Sequence, residues 1–475
     1  MSGTVTPAVP AVATDGAFRS LRIRNFRLYA GASLVNNTGT WMQRIAQDWL
    51  VLQLSDSGLA LGIVTALQFA PILALSLYGG MLADRYDKRK LMMITQATMG
   101  LAALVLGLLV LTDLVALWHV FVIAGCLGVA AAMDMPIRQS FASEIVGVDN
   151  LANAVSLNSA IFNAARLVGP AIAGLMIAAA GDDTGPVFLL NAGSYVVTIL
   201  ALRFMRTSEL SRSPEVPRGR GQLRAALTYV NNHSDIKAAM LLVFIVGTFG
   251  LNFQITMALM VTDVFGRGAG AFGLLSTAFA VGSLSGALLS TRRAGRPRQR
   301  TLYIAALVFG LFEVVSGLMP VYLAFAVVLI PTGAAALTFM VAANSFVQLG
   351  VDPTMRGRVM ALYFMAFMGG TPVGAPVVGW MGENLGAPVA LIAGGAIVAV
   401  AALALGWFGI RQRGLRVQAQ VFPRPSMSLA PRSELSAPPR PSEQRAGSEP
   451  SEPSDPGVLE PARSDSRLEH VSAPR

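Results

Sequence analysis

Two ionisable residues stand one helical turn apart in a long segment near the start of the chain. Arg44 and Asp48 are i, i+4 neighbours, a spacing at which opposite charges on a helix can pair. The carboxylate of Asp48 could take up and release a proton while Arg44 tunes its proton affinity, and a static neutralising pair is the alternative. Glu313 is the lone acid well inside an apolar stretch of the second half, and it competes with Asp48 for the proton-binding role.

Polar side chains share the helix face that carries this pair. At about 100° per residue, seven polar residues of this segment fall within an arc of about 140°, and Val35, Met42, Ile45, Ala46 and Trp49 are among the residues that occupy the rest. A polar arc of that width cannot face lipid, so we expect it to face a water-filled cavity between the halves. The seven residues are Asn36, Asn37, Thr40, Gln43, Arg44, Gln47 and Asp48. A second polar arc of about 80° includes Arg166 further along the chain. The candidate cavity residues are Asn36, Thr40, Gln43, Gln47, Ser159 and Asn163.

The elements that position these residues are long apolar runs. Of the 475 residues, 54% are hydrophobic and 13% are charged, whereas about a quarter of the residues in a soluble domain are charged. A membrane-spanning helix needs about 20 apolar residues, and several runs approach or reach that length. The composition therefore predicts an all-α membrane protein embedded in a lipid bilayer. The clearest runs cover 91–111, 117–133, 186–204 and 387–410.

We predict twelve transmembrane helices in two pseudo-symmetric six-helix bundles. Short motifs support the duplication, because Gly174 recurs as Gly379 at one constant offset and Gly62 recurs as Gly273 at another. Two halves with a site between them at the bilayer midplane are typical of secondary transporters. The predicted segments are a cytosolic N-terminal segment at 1–27, bundles at 28–205 and 237–416, a polar cytosolic linker at 206–236, and a disordered, Pro- and Ser-rich cytosolic tail at 417–475.

Charge between the apolar runs sets the orientation. Basic clusters such as Arg85–Lys90, Arg206–Arg224 and Arg411–Arg416 fall on the even-numbered connections or at the C-terminal end, whereas acids such as Asp182 and Glu383 fall on the odd-numbered connections. Because basic loops stay in the cytosol, we predict a multi-pass protein of the cell membrane with both termini in the cytosol. The N-terminus lacks the pattern of a cleavable signal peptide, so the first span is expected to be retained.

The remaining composition argues against other classes of protein. The net charge of +10 is spread over short clusters between apolar runs, which does not favour a nucleic-acid partner. One cysteine, Cys126, and three scattered histidines predict neither an internal disulfide nor a metal site. The sequence holds no nucleotide-binding loop and none of the common hydrolase motifs. We therefore expect no cofactor, no enzymatic activity and no ATP-driven transport, from a chain that works as a monomer.

The sharpest motif is Gly-Met-Leu-Ala-Asp-Arg-Tyr-Asp-Lys-Arg-Lys at 80–90, between the second and third predicted spans. It resembles the loop signature of the major facilitator superfamily of transporters. By this resemblance Gly80 lets two helices approach closely, and Asp84 can meet a helix N-terminus or an arginine across the bundle. Arg85 and Arg89 would hold the cytosolic side shut through charge-assisted hydrogen bonds. A positive-inside anchor of the topology is the alternative.

A second motif, from Arg166 to Gly174, resembles the Gly-Pro signature of the antiporter branches of the same superfamily. Gly169, Pro170 and Gly174 match that signature, whereas Ala173 replaces the first glycine of its closing pair. Glycine and proline bend a helix, and small residues let it pack tightly against a neighbour. Ordinary packing between small residues is the alternative interpretation of this motif.

The resemblance covers residues 17–415, and segments 24–27, 41–44 and 134–139 look like the exporter branch that includes enterobactin exporters and related secretion and multidrug proteins. It implies a secondary active transporter, a proton-coupled antiporter that exports a small amphipathic molecule by alternating access. The cargo class would be a drug, a siderophore or a secondary metabolite. A solute importer on the same fold is an alternative, and a membrane-embedded enzyme is less favoured because catalytic motifs are missing.

Overall fold

The computed structural model describes residues 18–211, 222–291, 297–412, 415–420 and 426–431. The described residues up to Ile410 form one compact unit, and those from Arg411 onwards belong to a second. The first half holds α1 (Arg24–Ser55), α2 (Gly58–Arg85), α3 (Lys88–Leu111), α4 (Leu117–Ala179) and α5 (Gly185–Arg203). The second half holds α6 (Gln222–Asn232), α7 (Ser234–Ile245), α8 (Phe253–Leu259), α9 (Ala269–Thr291), α10 (Gln299–Gly317), α11 (Tyr322–Gly350), α12 (Arg356–Leu385) and α13 (Ala387–Gln412).

Local backbone changes divide one of these helices and join two others. Gly147 has a φ of 69° and separates α4 into two spans, because glycine adopts a left-handed φ without the steric cost of a Cβ atom. The helices α7 and α8 form the single span Ser234–Val264 together with π-helical turns at Val246–Gly250 and Met260–Val264. Such turns are frequent at functional positions of α-helices.

The described part of the chain contains eleven helical stretches that are long and apolar enough to cross a membrane. The other long helix of the first half, α1, has 32 residues, but its polar arc lowers its apolar content. With α1 included, the helices agree with the predicted all-α fold and its twelve spans. Within the first half α1 and α2 pack on α4, and α3 packs on α5, while α11 packs on α9 and α10 in the second half.

The predicted linker at 206–236 contains an amphipathic helix that the sequence interpretation left out. The helix α6 lies within it, with Ala226 buried and Tyr229 and Val230 packed against the main core. These apolar residues have i, i+3 and i+4 spacing and so share one face. The polar residues on the opposite face dominate the composition, which is why the segment looked irregular. Residues 212–221 lie outside the described residues.

The tail predicted to be disordered contains two antiparallel strands where the structure describes it, β1 (Leu415–Gln420) and β2 (Ser426–Pro431). The segment has few apolar residues, and this low content predicts disorder. In β1, however, apolar residues such as Val417 and Ala419 occupy alternate positions, and this alternation is the period of a strand. Residues 432–475 lie outside the described residues, so the disorder expected there stays a prediction.

The two halves meet along two helix crossings that are related by the internal duplication. The helix α2 packs against α12, and α4 packs against α9. A Cβ atom on Gly62 of α2 would overlap the carbonyl oxygen of Ala375 on α12. In the duplicate position, a Cβ atom on Gly273 of α9 would stand 2.5 Å from the carbonyl oxygen of Pro170 on α4. Glycine is therefore required at both crossings, because it alone lacks the atom that would collide.

A second contact repeats the same relation near the ends of these helices. A Cβ atom on Gly379 of α12 would overlap the carbonyl oxygen of Gly58, at the start of α2. A Cβ atom on Gly174 of α4 would stand 2.9 Å from the carbonyl oxygen of Ala269, at the start of α9. Gly174 and Gly379 are the pair that the duplicated motif singled out, and the structure places both at contacts between the halves.

Candidate functional site

A cavity of about 580 Å³ lies beside α1 and is walled by α2, α3, α4 and α5, with Met368 of α12 as its contribution from the second half. The sequence predicted that the polar arc of the first span faces a cavity between the halves. The structure places most of that arc, and part of the polar arc of the fifth span, on a cavity that lies almost wholly in the first half, whereas Asp48 and Arg166 do not line it. The predicted residues that line it are Asn36, Thr40, Gln43, Arg44, Gln47, Ser159 and Asn163.

Buried hydrogen bonds fix the polar face of α1 against α5. Asn191 donates from its amide nitrogen to the amide oxygen of Gln43. The hydroxyl of Ser194, one turn along α5, reaches both the side-chain oxygen of Asn191, at 2.8 Å, and that of Asn36, at 3.4 Å. The side chains of Gln43 and Asn36 are thus held by α5 rather than left free in the cavity.

The same network continues from α1 through α3 to α4. Asn36 donates to the amide oxygen of Gln96 at 3.3 Å, and Gln96 donates to Asp134 at 2.9 Å. Thr95 donates to the same carboxylate oxygen at 2.7 Å, while Arg138 donates to the other one at 2.8 and 3.1 Å. The Asp134–Arg138 ion pair lines the cavity. Thr95 and Gln96 were missed in the sequence, although two adjacent polar residues in an apolar span were a usable signal.

Arg44 is held by aromatic rings instead of by Asp48. Its guanidinium lies 5.4 Å from the ring centre of Trp41 and 5.2 Å from that of Phe69, distances typical of cation–π contacts. Both residues of the predicted i, i+4 pair are described, and no ion pair joins them. Asp48 is only 8% exposed and is not among the residues that line the cavity.

Arg166 shares the same indole ring from the opposite helix. Its guanidinium lies 5.6 Å from the ring centre of Trp41 and 6.0 Å from that of Phe279, which belongs to the second half. A Cβ atom on Gly169 would stand 2.7 Å from the Cβ atom of Trp41, so the glycine makes room for the indole. The predicted Gly-Pro motif therefore does two things: Gly169 seats Trp41, and the residues after it form the crossing with α9.

Glu313 lies away from this cavity, inside the second half. Its side chain is 3% exposed, and its Oε2 atom has no hydrogen-bond partner in the described chain. A Cβ atom on Gly250, at the end of the first π-helical turn, would stand 3.3 Å from that Oε2, and one on Gly394 of α13 would stand 3.0 Å from Oε1. The carboxyl group thus occupies space that two glycines leave open.

The basic residues of the loop motif make contacts within the first half. Arg89 donates to the carbonyl oxygen of Arg203, at 2.9 Å, near the end of α5. Lys88 pairs with Glu144 of α4 at 2.6 Å. These bonds anchor the start of α3 to its neighbours. Arg89 therefore ties two helices of one bundle together in this conformation, whereas the sequence predicted a closing contact on the cytosolic side.

The other residues of the motif lie around the end of α2. Gly80 is buried, whereas Asp84 and Arg85 are exposed. An exposed Arg85 agrees with a conformation in which the two halves are apart at this end and the predicted closing contact is not made. Its closing role concerns a different conformation and stays a prediction.

The opposite end of the halves is joined by a polar contact that the sequence did not indicate. Glu383 of α12 accepts hydrogen bonds from the hydroxyl of Ser57, at 2.6 Å, and from the backbone N–H of Leu59, at 3.0 Å. A carboxylate at the first turn of α2 satisfies a free backbone donor and the helix dipole. Glu383 had been interpreted only as a topology marker, because no local pattern says which helix start it will face.

Contacts between the halves extend from this end to about the middle of the helices. They include the hydroxyl of Thr277, which donates to the carbonyl oxygen of Leu167 at 3.4 Å, and Gly369, where an added Cβ atom would stand 3.4 Å from the side chain of Leu73. At the end that carries the loop motif, the described hydrogen bonds of Arg89 and Lys88 stay within one half. The bundle is thus closed at one end by the crossings and Glu383.

This fold is that of the major facilitator transporters. A D-xylose–proton symporter superposes with a TM-score of 0.63 at 14% identity, covering 82% of this chain and 97% of that one. A bacterial homologue of the human lysosomal transporter Spinster, in an inward-facing and occupied conformation, superposes with a TM-score of 0.62 at 16% identity, covering 84% and 98% of the two chains. At these identities the likeness concerns the fold alone.

Residues 15–434 match the model of the family described as transmembrane secretion effector, and the chain belongs to that family. The staphyloferrin A transporter of Staphylococcus aureus is 27% identical over 264 residues, 55% of this chain and 66% of that protein. The multidrug efflux pump Tap of Mycobacterium tuberculosis is 25% identical over 424 residues, 86% and 96% of the two chains. The enterobactin exporter of Shigella flexneri is 24% identical over 389 residues, 79% and 87%.

Some of these matches are partial. The chain spans slightly less than two thirds of the staphyloferrin A transporter, 66%, and it spans 44% of Tap from Mycolicibacterium fortuitum, to which it is 32% identical. Fold and family together confirm the predicted superfamily and identify a multi-pass membrane transporter with exporter-like relatives, not an enzyme.

Proposed function

We propose that this protein is a proton-coupled antiporter that exports a small amphipathic molecule by alternating access. The observation that carries the proposal is the 580 Å³ cavity with a polar α1 face, which lies beside helix crossings that close the bundle at one end. Relatives named for a siderophore, staphyloferrin A or enterobactin, and for multidrug efflux favour a siderophore, a drug or a secondary metabolite. One chain supplies both halves and the cavity, so a monomer suffices.

The orientation follows from loop charge. Because basic loops stay in the cytosol, the Glu383 end faces outward, and the loop-motif end, with both termini, faces the cytosol. A cytosolic reporter fused after Arg411 is therefore expected to be active, and one inserted beside Asp182 inactive. Reporter activity measured in intact cells checks this, and the reverse pattern would contradict the assignment of the closed end to the outside.

The coupling carboxyl group in this proposal is Glu313. Asp48 stands one turn from Arg44, so its protonation would alter the charge balance of the cavity itself. Glu313 has no arginine one turn away on its own helix, and its Oε2 atom has no hydrogen-bond partner in the described chain, so a proton there changes no interaction of the cavity residues. A proton on Glu313 neutralises a group that is costly to bury as a charge. The change in charge would act on the adjacent π-helical turn, which the carboxyl group borders at Gly250.

A chain of contacts leads from Glu313 to the closing crossings. Its carboxyl group borders Gly250, and the same π-helical turn presents the carbonyl oxygen of Thr248 to Gly374 of α12, so closely that a Cβ atom there would overlap it. Further along α12, Gly379 meets Gly58 of α2. A shift of this turn would therefore move α12, the helix that carries one of the two crossings.

Vesicle transport tests the proposed function. Everted membrane vesicles that contain the protein, energised with lactate, are expected to accumulate labelled naphthylacetate or phenylnaphthylamine, and a protonophore should abolish the accumulation. Vesicles without the protein are the control. Uptake by right-side-out vesicles instead would identify the importer alternative, and the absence of protonophore-sensitive movement of both probes in either orientation would count against a proton-coupled transporter of amphipathic molecules.

A further inference from the structure

Two guanidinium groups lie over the ring of one cavity-lining residue, and no carboxylate of the described chain is within ion-pair distance of either. Arg44 itself lines the cavity, whereas Arg166 does not. Arg44 and Arg166 lie on different helices, 5.4 and 5.6 Å from the ring centre of the same residue, Trp41. Neither forms an ion pair with a described residue. Like charges this close repel in a membrane interior, where the effective dielectric constant is lower than in water. An anion bound near both arginines would offset this repulsion.

Gln47 adds an independent observation at the same place. It lies on α1 three residues after Arg44, lines the cavity and is only 1% exposed. Its amide nitrogen and oxygen have no hydrogen-bond partner in the described chain. A buried polar group without a partner costs free energy, and such groups are rare in native structures. Gln43 on the same helix is bonded to Asn191, and among the described residues that line the cavity Gln47 is the buried one with unmet hydrogen-bonding capacity.

Aromatic rings line the space next to these groups. The ring of Phe162 lies 5.8 Å from that of Trp41 in an edge-to-face arrangement, and 45% of the Phe162 surface is exposed. Phe69 stands under Arg44 on the other side. Apolar and aromatic walls with a few convergent polar groups are what a small-molecule site requires. The flat, apolar part of a ligand can lie against Phe162 and Trp41.

The nearby carboxylates do not fill this role. Asp134 is engaged by Arg138 and by Thr95, and Asp48 makes no ion pair with Arg44. We infer that the cavity selects an anionic amphipathic substrate, whose carboxylate or comparable anionic oxygens bind Arg44 and Gln47, with the apolar body against Phe162 and Trp41. Arg166, which lies over the same indole ring outside the cavity lining, adds positive charge nearby. The inference rests on the transport function proposed above and names the charge of its substrate.

An anionic cargo also bears on where the proton binds. A proton on Asp48 would leave Arg44 more available to an anion, so proton and substrate would favour binding together. Export by exchange needs the two to bind in alternation. The exchange therefore requires a carboxyl group away from Arg44, and Glu313 lies on α10 in the other half.

Binding to the purified full-length protein in detergent tests the inference. The probes are naphthylacetate, naphthylacetamide and naphthylethylamine, which share an aromatic body and carry a negative, no and a positive charge. Equilibrium dialysis is expected to show naphthylacetate binding about tenfold tighter than the amide, with the amine weakest, since one charge-assisted bond is worth about that factor. Arg44→Gln should remove most of this preference, Arg166→Gln should lower it by less because Arg166 does not line the cavity, and Gln47→Leu should weaken the binding of naphthylacetate alone.

Arg267→Gln is the matched control, because Arg267 also lies over an aromatic ring, 4.7 Å from the centre of Tyr322, but that ring does not line the cavity, whereas Trp41, the ring shared by Arg44 and Arg166, does. The Arg267→Gln variant should bind naphthylacetate as tightly as the unaltered protein does. Arg44→Lys should bind it with an affinity between those of the unaltered protein and Arg44→Gln. Equal or tighter binding of the amide or amine, or no binding of naphthylacetate at millimolar concentration, would overturn the inference even without any variant. If the unaltered protein prefers naphthylacetate in dialysis but transports neither probe in vesicles, the proposed function is contradicted and the inference about charge is not.

Discussion

Gly62→Val is expected to abolish transport while the amount of folded protein stays unchanged. The new side chain would overlap the carbonyl oxygen of Ala375, which belongs to the other half, so each half can still fold but the crossing cannot close. Gly273→Val should behave in the same way, because it meets the carbonyl oxygen of Pro170 at the duplicate crossing. Uptake by energised everted vesicles measures transport, and size-exclusion chromatography of the solubilised protein measures the folded amount.

Two other glycines separate closure from folding. Gly31→Val is the silent control, since nothing lies within 4 Å of an added Cβ atom at that position. Gly282→Val should lower the amount of folded protein, because a Cβ atom added at Gly282 would overlap the backbone of Ile330 within the same half. Transport at the unaltered rate in Gly62→Val would show that this crossing does not close during the cycle.

Glu313→Gln is expected to abolish proton-driven accumulation and to keep downhill exchange of labelled naphthylacetate. Glutamine has the shape of a protonated glutamate but cannot release a proton, so the carrier would remain in one charge state. Because Glu313 is buried between Gly250 and Gly394, a side chain of equal volume should preserve the packing. Uptake by everted vesicles with and without lactate distinguishes uphill transport from exchange.

Asp48→Asn is the matched comparison in the first half. It should retain uphill transport and bind naphthylacetate more tightly, since one negative charge one turn from Arg44 is removed. If Asp48→Asn loses uphill transport and Glu313→Gln retains it, the proton site belongs to α1. If both variants accumulate the probe against a gradient, neither carboxyl group is the carrier, and the pair of Asp134 and Arg138 becomes the next candidate.

The cavity-facing residues of α1 could be predicted because helical periodicity alone decides which side chains share a face. Seven polar positions on one arc of segment 36–48 leave one orientation that keeps them from lipid, and all of them except Asp48 line the cavity. The duplicated glycines were visible for a related reason: an internal repeat conserves the positions at which two helices touch. Neither signal depends on knowing which helices are neighbours.

The partners of these residues could not be predicted, because they lie on other helices. That Asn36 would reach Gln96, or that Arg44 would rest on Phe69 instead of pairing with Asp48, depends on how α2 and α3 pack beside α1. The contact of Glu383 with Ser57 joins positions more than three hundred residues apart and exists only while that end is closed. Loop charge and hydropathy carry no information about conformation.

Four glycines of the closing surface bring backbone directly against backbone. The atoms nearest to an added Cβ at Gly62, Gly273, Gly174 and Gly379 all belong to the backbone of the other half. In lipid no hydrophobic driving force holds two helices together, so these contacts depend on close packing, and the exposed bonds of Glu383 add about 1 kcal/mol. A ligand or a proton shifts the balance between closed and separated halves by its difference in affinity for the two states. At these four positions closure depends on the fit of two backbones, with no side chain that must reorient as the halves separate.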